Sequence, residues 1–393
     1  MSKHLLFVAL AGHGHVNPTL PLVEELVRRG HRVDYATSAE HSEAVIGAGA
    51  RWVELELPDT MARTSPPREF SSADLADFMR LMFDATRQVH PTLYEYCVEE
   101  SPDAIVYDTM NWSARVVAQQ LDIPAVRCVP NLASNEEYSL FAAFMSDESD
   151  ENLLTDTLAD ACAEFSAENG VELAPSTLMD MTEKLNLVFI PREFQIAGDT
   201  FDDSFHFVGP SLGSREHAES WSPADPEAPV LYISLGTVFN DRPEFYRDCL
   251  EAFRDGPYQV AMTVGDVDLA DLGEIPPNFD VRPRFPQPAV LRHADAFVSH
   301  AGMNSTMEAL YYGVALVTVP QMPEQAANAG QVQTLGLGEQ LDTATVTAES
   351  LRAAVARVTD DATVRTNLDR MRKVVRESGG VARGADVIEE YLG

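Results

Sequence analysis

Apolar residues along this chain fall into short runs separated by stretches in which they recur every three to four positions. Lys3–Ala9 is a mostly apolar run of strand length, and Pro18 to Arg29 then carries Leu20, Val23, Leu26 and Val27 on one helical stripe that stops at Gly30. The same alternation predicts strands at His31–Ala36, Arg51–Leu57, Ala104–Tyr107 and Ala125–Val129. Helices are predicted at Ser42–Gly49, Asp74–Glu99 and Trp112–Leu121. Residues 135–185 are acidic, mostly helical in pattern and less regular, an insertion suited to lining a pocket or forming a lid. Leu187–Ile190 and His206–Gly209 resume the strands, and 210–229, with Pro223, Pro226 and Pro229, reads as a linker.

The rhythm then restarts. Strands are predicted at Val230–Leu235, Gln259–Val264, Asp280–Pro283, Ala296–Ser299 and Ala315–Val319. Helices are predicted at Arg242–Arg254, Pro288–His293, Ser305–Tyr312 and Glu324–Leu335, with Ala348–Thr359, Ala362–Ser378 and Ala382–Tyr391 closing the chain. Strand–helix alternation implies parallel sheets covered on both faces, an α/β class. The halves share this rhythm without reading as sequence repeats. Two such sheets facing each other leave a cleft with two carboxyl edges, where ligands of these folds bind. The domain expectation is 1–209, a linker at 210–229, a second domain at 230–378, and a terminal segment 379–393 returning to the first domain.

Composition narrows the function. A length of 393 residues suits two or three domains, and 45% hydrophobic residues suffice for a core in each half. No run reaches the roughly 18–20 apolar residues of a membrane span. Leu5–Ala11 is read as a strand and not as a signal core, since only Lys3 precedes it and a Gly/His turn follows. The formal charge of −34 argues against nucleic-acid binding and against adsorption to anionic membranes. Only Lys3, Lys184 and Lys373 are lysines, a bias compatible with a high-salt host or an arginine-biased genome. Cys97, Cys128, Cys162 and Cys249 are widely spaced, with no zinc or disulfide pattern. A reducing cytoplasm is the expected location.

Two stretches carry chemistry. Gly12-His13-Gly14-His15-Val16-Asn17-Pro18 follows the first strand. Asn17 stands where a dinucleotide fingerprint needs its third glycine, and the second strand ends in Thr37-Ser38 with no acid for a ribose, so a nicotinamide cofactor loses support. A neutral imidazole takes a proton near pH 7. Asp108, at the end of a strand on the same sheet edge, is the candidate to orient it. Loop histidines satisfied by backbone are the competing reading. In the second half, Ser234-Leu235-Gly236-Thr237 follows a strand, and Phe297–Glu308 runs from a strand through Ser299-His300-Ala301-Gly302 into a helix. Helix-start amides with the Ser305 and Thr306 hydroxyls suit an anion, although simple helix capping also explains them. Pro320-Gln321-Met322-Pro323-Glu324-Gln325 offers a carboxylate and an amide for sugar hydroxyls. Asp266-Val267-Asp268 looks like a metal-binding DxD but lies in an acidic turn.

These residues resemble family-1 inverting glycosyltransferases of the GT-B fold, most of all the bacterial macrolide and flavonoid enzymes that include the oleandomycin glycosyltransferases. The resemblance spans essentially the whole chain. It is strongest in GHGHVNPTLPLVEELVRRG (12–30), VLYISLGTVF (230–239) and 284–325, where Pro-Gln, His-x-Gly-x-Asn-Ser-x-x-Glu and an acid-Gln pair follow in the family's spacing. The resemblance implies His15 as base and Asp108 as its partner, with His13 a neighbour. It implies diphosphate contacts from His300, Gly302, Asn304 and Ser305 with Ser234 and Thr237, a ribose contact from Glu308, a nucleobase contact from Gln287, and sugar contacts from Glu324 and Gln325. Arg284 stands where the family has an aromatic residue stacking on uracil, with Phe285 adjacent; a guanidinium also stacks on a base. Glu324 replaces the commoner Asp.

The implied reaction is single-displacement transfer of a hexose, glucose from UDP-glucose, to a hydroxyl of an apolar acceptor such as a macrolide, flavonoid or polyphenol, with no metal or cofactor. Phe78, Met82, Trp112, Asn131, Tyr138 and Phe141 are the candidate acceptor residues, with Phe70, Met79, Phe83, Phe144 and Met145 as further apolar candidates. At helical spacing such residues also serve as core. The expected partners are the acceptor and the nucleotide sugar, in a monomer or weak homodimer. A sugar-nucleotide epimerase or hydrolase and a catalytically silent auxiliary subunit are the alternatives.

Overall fold

The computed structural model describes residues 1–9, 12–56, 71–140, 142, 148–175, 178, 181–210, 212–217 and 220–393. They divide into two compact units, Met1–Gly213 with Ser378–Gly393, and Ser214–Glu377.

In the first unit, β1 (His4–Val8), β2 (Arg32–Thr37), β3 (Arg51–Glu54), β4 (Ala104–Asp108), β5 (Ala125–Val129), β6 (Asn186–Val188) and β7 (Phe205–Phe207) form one parallel sheet, ordered β3-β2-β1-β4-β5-β6-β7. The strands are apolar on both sides because both faces are covered. Leu5 and Phe7 point into one core, shared with α2 (Leu20–Arg28) and the terminal helix. Leu6 and Val8 point into the other, under α4 (Ser72–Glu100) and α5 (Trp112–Leu121). Ahead of α2 lies α1 (His13–Val16), and α3 (Ser42–Gly47) joins β2 to β3. The Ser71 side chain and Asp74 close a capping box at the start of α4, a device that stabilises a helix by about 1 kcal/mol. A satellite core of Phe83, Trp112, Leu158 and Phe165 joins α4 and α5 to α6 (Glu148–Asn169).

The second unit repeats the plan. Strands β8 (Val230–Ser234), β9 (Gln259–Thr263), β10 (Phe279–Arg282), β11 (Ala296–Ser299), β12 (Ala315–Thr318) and β13 (Gly338–Gln340) are all parallel, ordered β10-β9-β8-β11-β12-β13. Its helices are α7 (Pro243–Phe253), α8 (Gln287–Leu291), α9 (Met303–Tyr312), α10 (Pro323–Thr334), α11 (Ala348–Asp360) and α12 (Ala362–Glu377). Relative to its first strand, this sheet has the same order as the first six strands of the other. The order reverses between β1 and β4 in one unit and between β8 and β11 in the other, which is where such sheets bind ligands.

Three features differ from the sequence pattern. Residues His13–Val16 form a helical turn where a loop was expected. The polar segment Gly338–Gln340 is a strand, and Gly338 is required there because a β-carbon would strike the Leu316 carbonyl. The expected linker 210–229 is no separate segment. The unit boundary falls at Gly213–Ser214, and the residues after it are tied to the second unit by Arg215–Glu308 (3.0 Å), Trp221 Nε1–Asp280 (3.4 Å) and Asp225 N–Gln259 (2.9 Å).

The last helix, α13 (Gly380–Leu392), belongs to the first unit. Val387 and Ile388 join the core containing Leu22, and Arg29 Nη1 bonds Asp386 (2.7 Å) and Glu389 (2.6 Å). All four cysteines are buried and unpaired, and burial pushes the Cys97 thiol up to about 12 and Cys162 to about 11. Among the described residues no helix is long and apolar enough to cross a membrane.

Candidate active site

In the first unit the site forms where β1 and β4 end. Val16 is fully buried and anchors α1. Thr19 Oγ1 ties the end of the loop down, bonding the Val16 carbonyl (2.9 Å) and the Tyr35 hydroxyl (2.7 Å). This holds His15 over the end of β4. His15 Nδ1 lies 2.8 Å from Asp108 Oδ2, and the other carboxylate oxygen accepts the Met110 N–H at 2.9 Å. Asp108 is 2% exposed, while the His15 side chain is 32% exposed. A carboxylate only accepts, so Nδ1 carries the proton and the acceptor role of the neutral ring falls to Nε2. The pair is therefore set to take a proton at Nε2 and to stabilise the resulting charge. His13 turns elsewhere, packing edge-on against buried His41 at 5.0 Å.

The acceptor candidates separate. Met82 is 1% exposed and belongs to the same core as Phe83 and Trp112, while one edge of it lines a small cavity at the carboxyl edge of the sheet with Ala9, Ser38, Leu55, Met110 and Asn111. Ser38 Oγ is buried without a hydrogen-bond partner. Trp112 is a correction: it is fully buried against Phe83, 6.0 Å between ring centroids, and is helix-packing core. Met79 and Phe83 join it there. Phe78 is 41% exposed on α4. Asn131 Oδ1 accepts the Leu132 N–H at 2.7 Å. Tyr138 is half-buried and burial pushes its phenol up to about 12. Phe141 lies outside the described residues, as do Phe70, Phe144 and Met145.

In the second unit, β8 and β11 end side by side with Ser234 and Ser299 in register. Each serine turns its hydroxyl onto the N–H two residues on, Ser234 to Gly236 (3.2 Å) and Ser299 to Ala301 (3.1 Å). Both receiving residues have positive φ, +80° and +61°. The turns close around His300. A β-carbon on Gly236 would lie 2.6 Å from its ring, and one on Gly302 would also overlap it. Burial lowers the His300 pKa to about 4, against a smaller opposing contribution from the Ser234 backbone, so the ring is neutral near pH 7. Gly302 caps α9, whose first turn carries half-buried Asn304 and Ser305. Thr237 is exposed.

Glu308 is 3% exposed. Its oxygens accept from Arg215 Nη2 (3.0 Å) and Gln287 Nε2 (2.8 Å), and the same Gln287 amide reaches Ser305 Oγ at 3.1 Å. Arg215 went unnoticed in the sequence because it sits 93 residues away in an apparent linker. Gln325 is buried, and its carbonyl accepts the Gln321 N–H at 2.8 Å, so it offers a ligand its amide donors. Glu324, beside it in the first turn of α10, is half-buried. Phe285 is a second correction. It is 5% exposed, covered by Trp221 and Tyr232 with the Arg282 guanidinium 4.8 Å from its ring centre, while Arg284 is the exposed neighbour. Asp268 caps a 3-10 turn by accepting the Ala270 N–H.

Residues 250–378 match the model of the erythromycin biosynthesis protein CIII-like C-terminal domain. The chain is 40% identical over 393 residues to the NDP-glycosyltransferase YjiC of Bacillus subtilis (strain 168), covering 99% of this chain and 97% of that one. It is 35% identical over 396 residues to the oleandomycin glycosyltransferase of Streptomyces antibioticus, covering 99% and 91%. Its structure superposes on CalG4, the calicheamicin glycosyltransferase, with a TM-score of 0.83 at 36% identity, over 100% and 99% of the two chains. The chain belongs to the family-1 glycosyltransferases of the GT-B fold, as a sugar-nucleotide-dependent transferase of the macrolide and natural-product type.

Proposed function

We propose that the enzyme transfers glucose from UDP-glucose to a hydroxyl of an apolar, hydroxylated small molecule, a macrolide, flavonoid or other polyphenol, inverting the anomeric centre. The observation that carries this reading is the His15–Asp108 pair at the end of a buried sheet. His15 Nε2 takes the acceptor's proton as its oxygen bonds to the anomeric carbon and the bond from that carbon to the diphosphate breaks. The charge left on His15 is balanced by Asp108. An α-linked donor then gives a β-glycoside.

The departing diphosphate meets the α9 amides, Asn304, Ser305, neutral His300 as a donor, and the Ser234/Thr237 turn. These donors stand in place before charge develops, so the mechanism requires neither metal nor cofactor. Glu308 uses two of its roughly four lone-pair directions on Arg215 and Gln287, which leaves capacity for ribose hydroxyls. Gln287 reads the base edge, Arg284 stacks on the base, and Glu324 with the Gln325 amide holds the sugar. The acceptor binds at the carboxyl edge of the first sheet, beside the loop following Asp108, where Ser38 and Met110 line a small cavity.

The test is mass spectrometry of the purified chain with UDP-glucose, a chelator and a panel of hydroxylated apolar acceptors. The expected result is one added hexose on at least one acceptor. UDP binding without any transfer overturns the donor sugar or the acceptor class, and transfer that the chelator abolishes overturns the metal-free mechanism.

A further inference from the structure

The turn that presents the proposed diphosphate site contains an alanine in a conformation alanine avoids. Ala301 has φ +61°, in the left-handed region where the β-carbon crowds the following carbonyl. It is fully buried, so no solvent relieves its backbone groups. Two side chains hold them instead. Ser299 Oγ accepts its N–H at 3.1 Å, and Asn328 Nδ2 donates to its carbonyl at 3.1 Å. Asn328 is itself fully buried, and its other polar atom, Oδ1, has no partner. A buried amide with half its capacity unmet is retained against its desolvation cost, and its single donated bond goes to the strained residue.

The consequences of that turn are on both sides of it. His300 precedes Ala301, and its ring fits only because Gly302 and Gly236 lack β-carbons. Gly302 follows, and α9 starts at Met303 with its amides directed by the same turn. A relaxed Ala301 would redirect the histidine and the helix start together. Asn328 lies on α10, three positions after Gln325 and four after Glu324, hence on their face of the helix. One hydrogen bond therefore ties the helix bearing the proposed sugar contacts to the turn bearing the proposed diphosphate contacts.

We infer that Asn328 is a positioning residue for the nucleotide sugar: it clamps Ala301 in the left-handed conformation that aims His300 and the α9 amides at the diphosphate. The inference rests on the diphosphate reading of this site. It makes a specific demand on residue 301, since glycine adopts the turn without a clamp.

The experiment measures UDP affinity by calorimetry for the wild type, N328L, A301G and the double variant A301G/N328L, each checked for a cooperative melt. Leucine is close to asparagine in shape and removes the donor. N328L is expected to bind UDP about tenfold more weakly, equivalent to about 1.4 kcal/mol. A301G should stay within about twofold of wild type, and the double variant should return to within about threefold. A packing role for Asn328 would not be rescued by deleting a β-carbon at 301. Wild-type affinity in N328L overturns the inference, as does a double variant that binds no better than N328L. If N328L alone does not fold, the double variant decides: folded with near-wild-type affinity supports the clamp, while weak binding or no fold refutes it. A wild type that binds no UDP refutes the diphosphate reading itself and the clamp with it, a result distinct from an unaffected N328L.

Discussion

Asp108 and Ser299 occupy equivalent places in two sheets of the same order. Each ends the strand beside the first strand of its sheet, at the point where strand order reverses, and each turns a side-chain oxygen onto the N–H two residues on. The backbone device is shared and the charge is not. Asp108 has a second oxygen, and it holds His15. Ser299 is neutral, as is the half-buried His300 beside it, whose desolvated ring has a lowered pKa. A carboxylate stabilises an imidazolium but would repel a diphosphate, so the proposed function assigns one architecture a base in one unit and an anion site in the other.

The largest expected effect tests the base. His15→Ala should lower kcat by about a thousandfold or more while UDP affinity stays unchanged. Transfer surviving within tenfold, about 1.4 kcal/mol in the barrier, would remove His15 from the chemistry. Next, the two strand ends can be exchanged. Asp108→Ser keeps an oxygen for the Met110 N–H but loses the charge, and kcat should fall about a hundredfold with UDP affinity intact, since orienting and charge-balancing the base belong to catalysis. The reciprocal Ser299→Asp should weaken UDP binding by more than tenfold in calorimetry on cooperatively melting protein, because like charges meet in a buried site. If both exchanges damage only stability, the comparison is architectural and has no bearing on function.

A smaller effect separates the two histidines by pH. His300 is held near 4 in the folded state against about 6.5 unfolded, so between those values the unfolded chain binds more protons. The neutral ring therefore costs nothing above pH 6.5, and stability is lost as pH falls from there towards 4. Relative to His300→Asn, the wild type should lose up to about 3 kcal/mol across that window in denaturant titrations. A flat difference would mean that the ring is solvated. The smallest effect concerns the acceptor: Met110→Ala should raise the acceptor KM several-fold, whereas Trp112→Phe should lower the melting temperature and leave that KM within twofold. The reverse outcome would move the acceptor pocket into the helix core.

Some of the site was legible because its signals are local. An apolar strand that ends abruptly in a polar residue marks a sheet edge, and Asp108, Ser234 and Ser299 ahead of the His300–Ser305 turn all announce themselves this way. Phe285 and Trp112 misled for one reason: an aromatic beside a motif reads identically whether it faces a ligand or a neighbouring helix. Trp221 covers Phe285 from 64 residues away, and Phe165 closes over the Phe83–Trp112 pair from another helix.

By itself the sequence determined the α/β alternation, the strand ends and the chemistry available at each, since hydrophobic period and residue type act over a few positions. Tertiary structure alone decided that Arg215 and Gln287 share Glu308, that Arg29 ties the terminal helix down through Asp386 and Glu389, and that Asn328 reaches Ala301. Those outcomes depend on contacts between residues 21 to several hundred positions apart, and only the packing of the sheets and helices brings them within bonding distance.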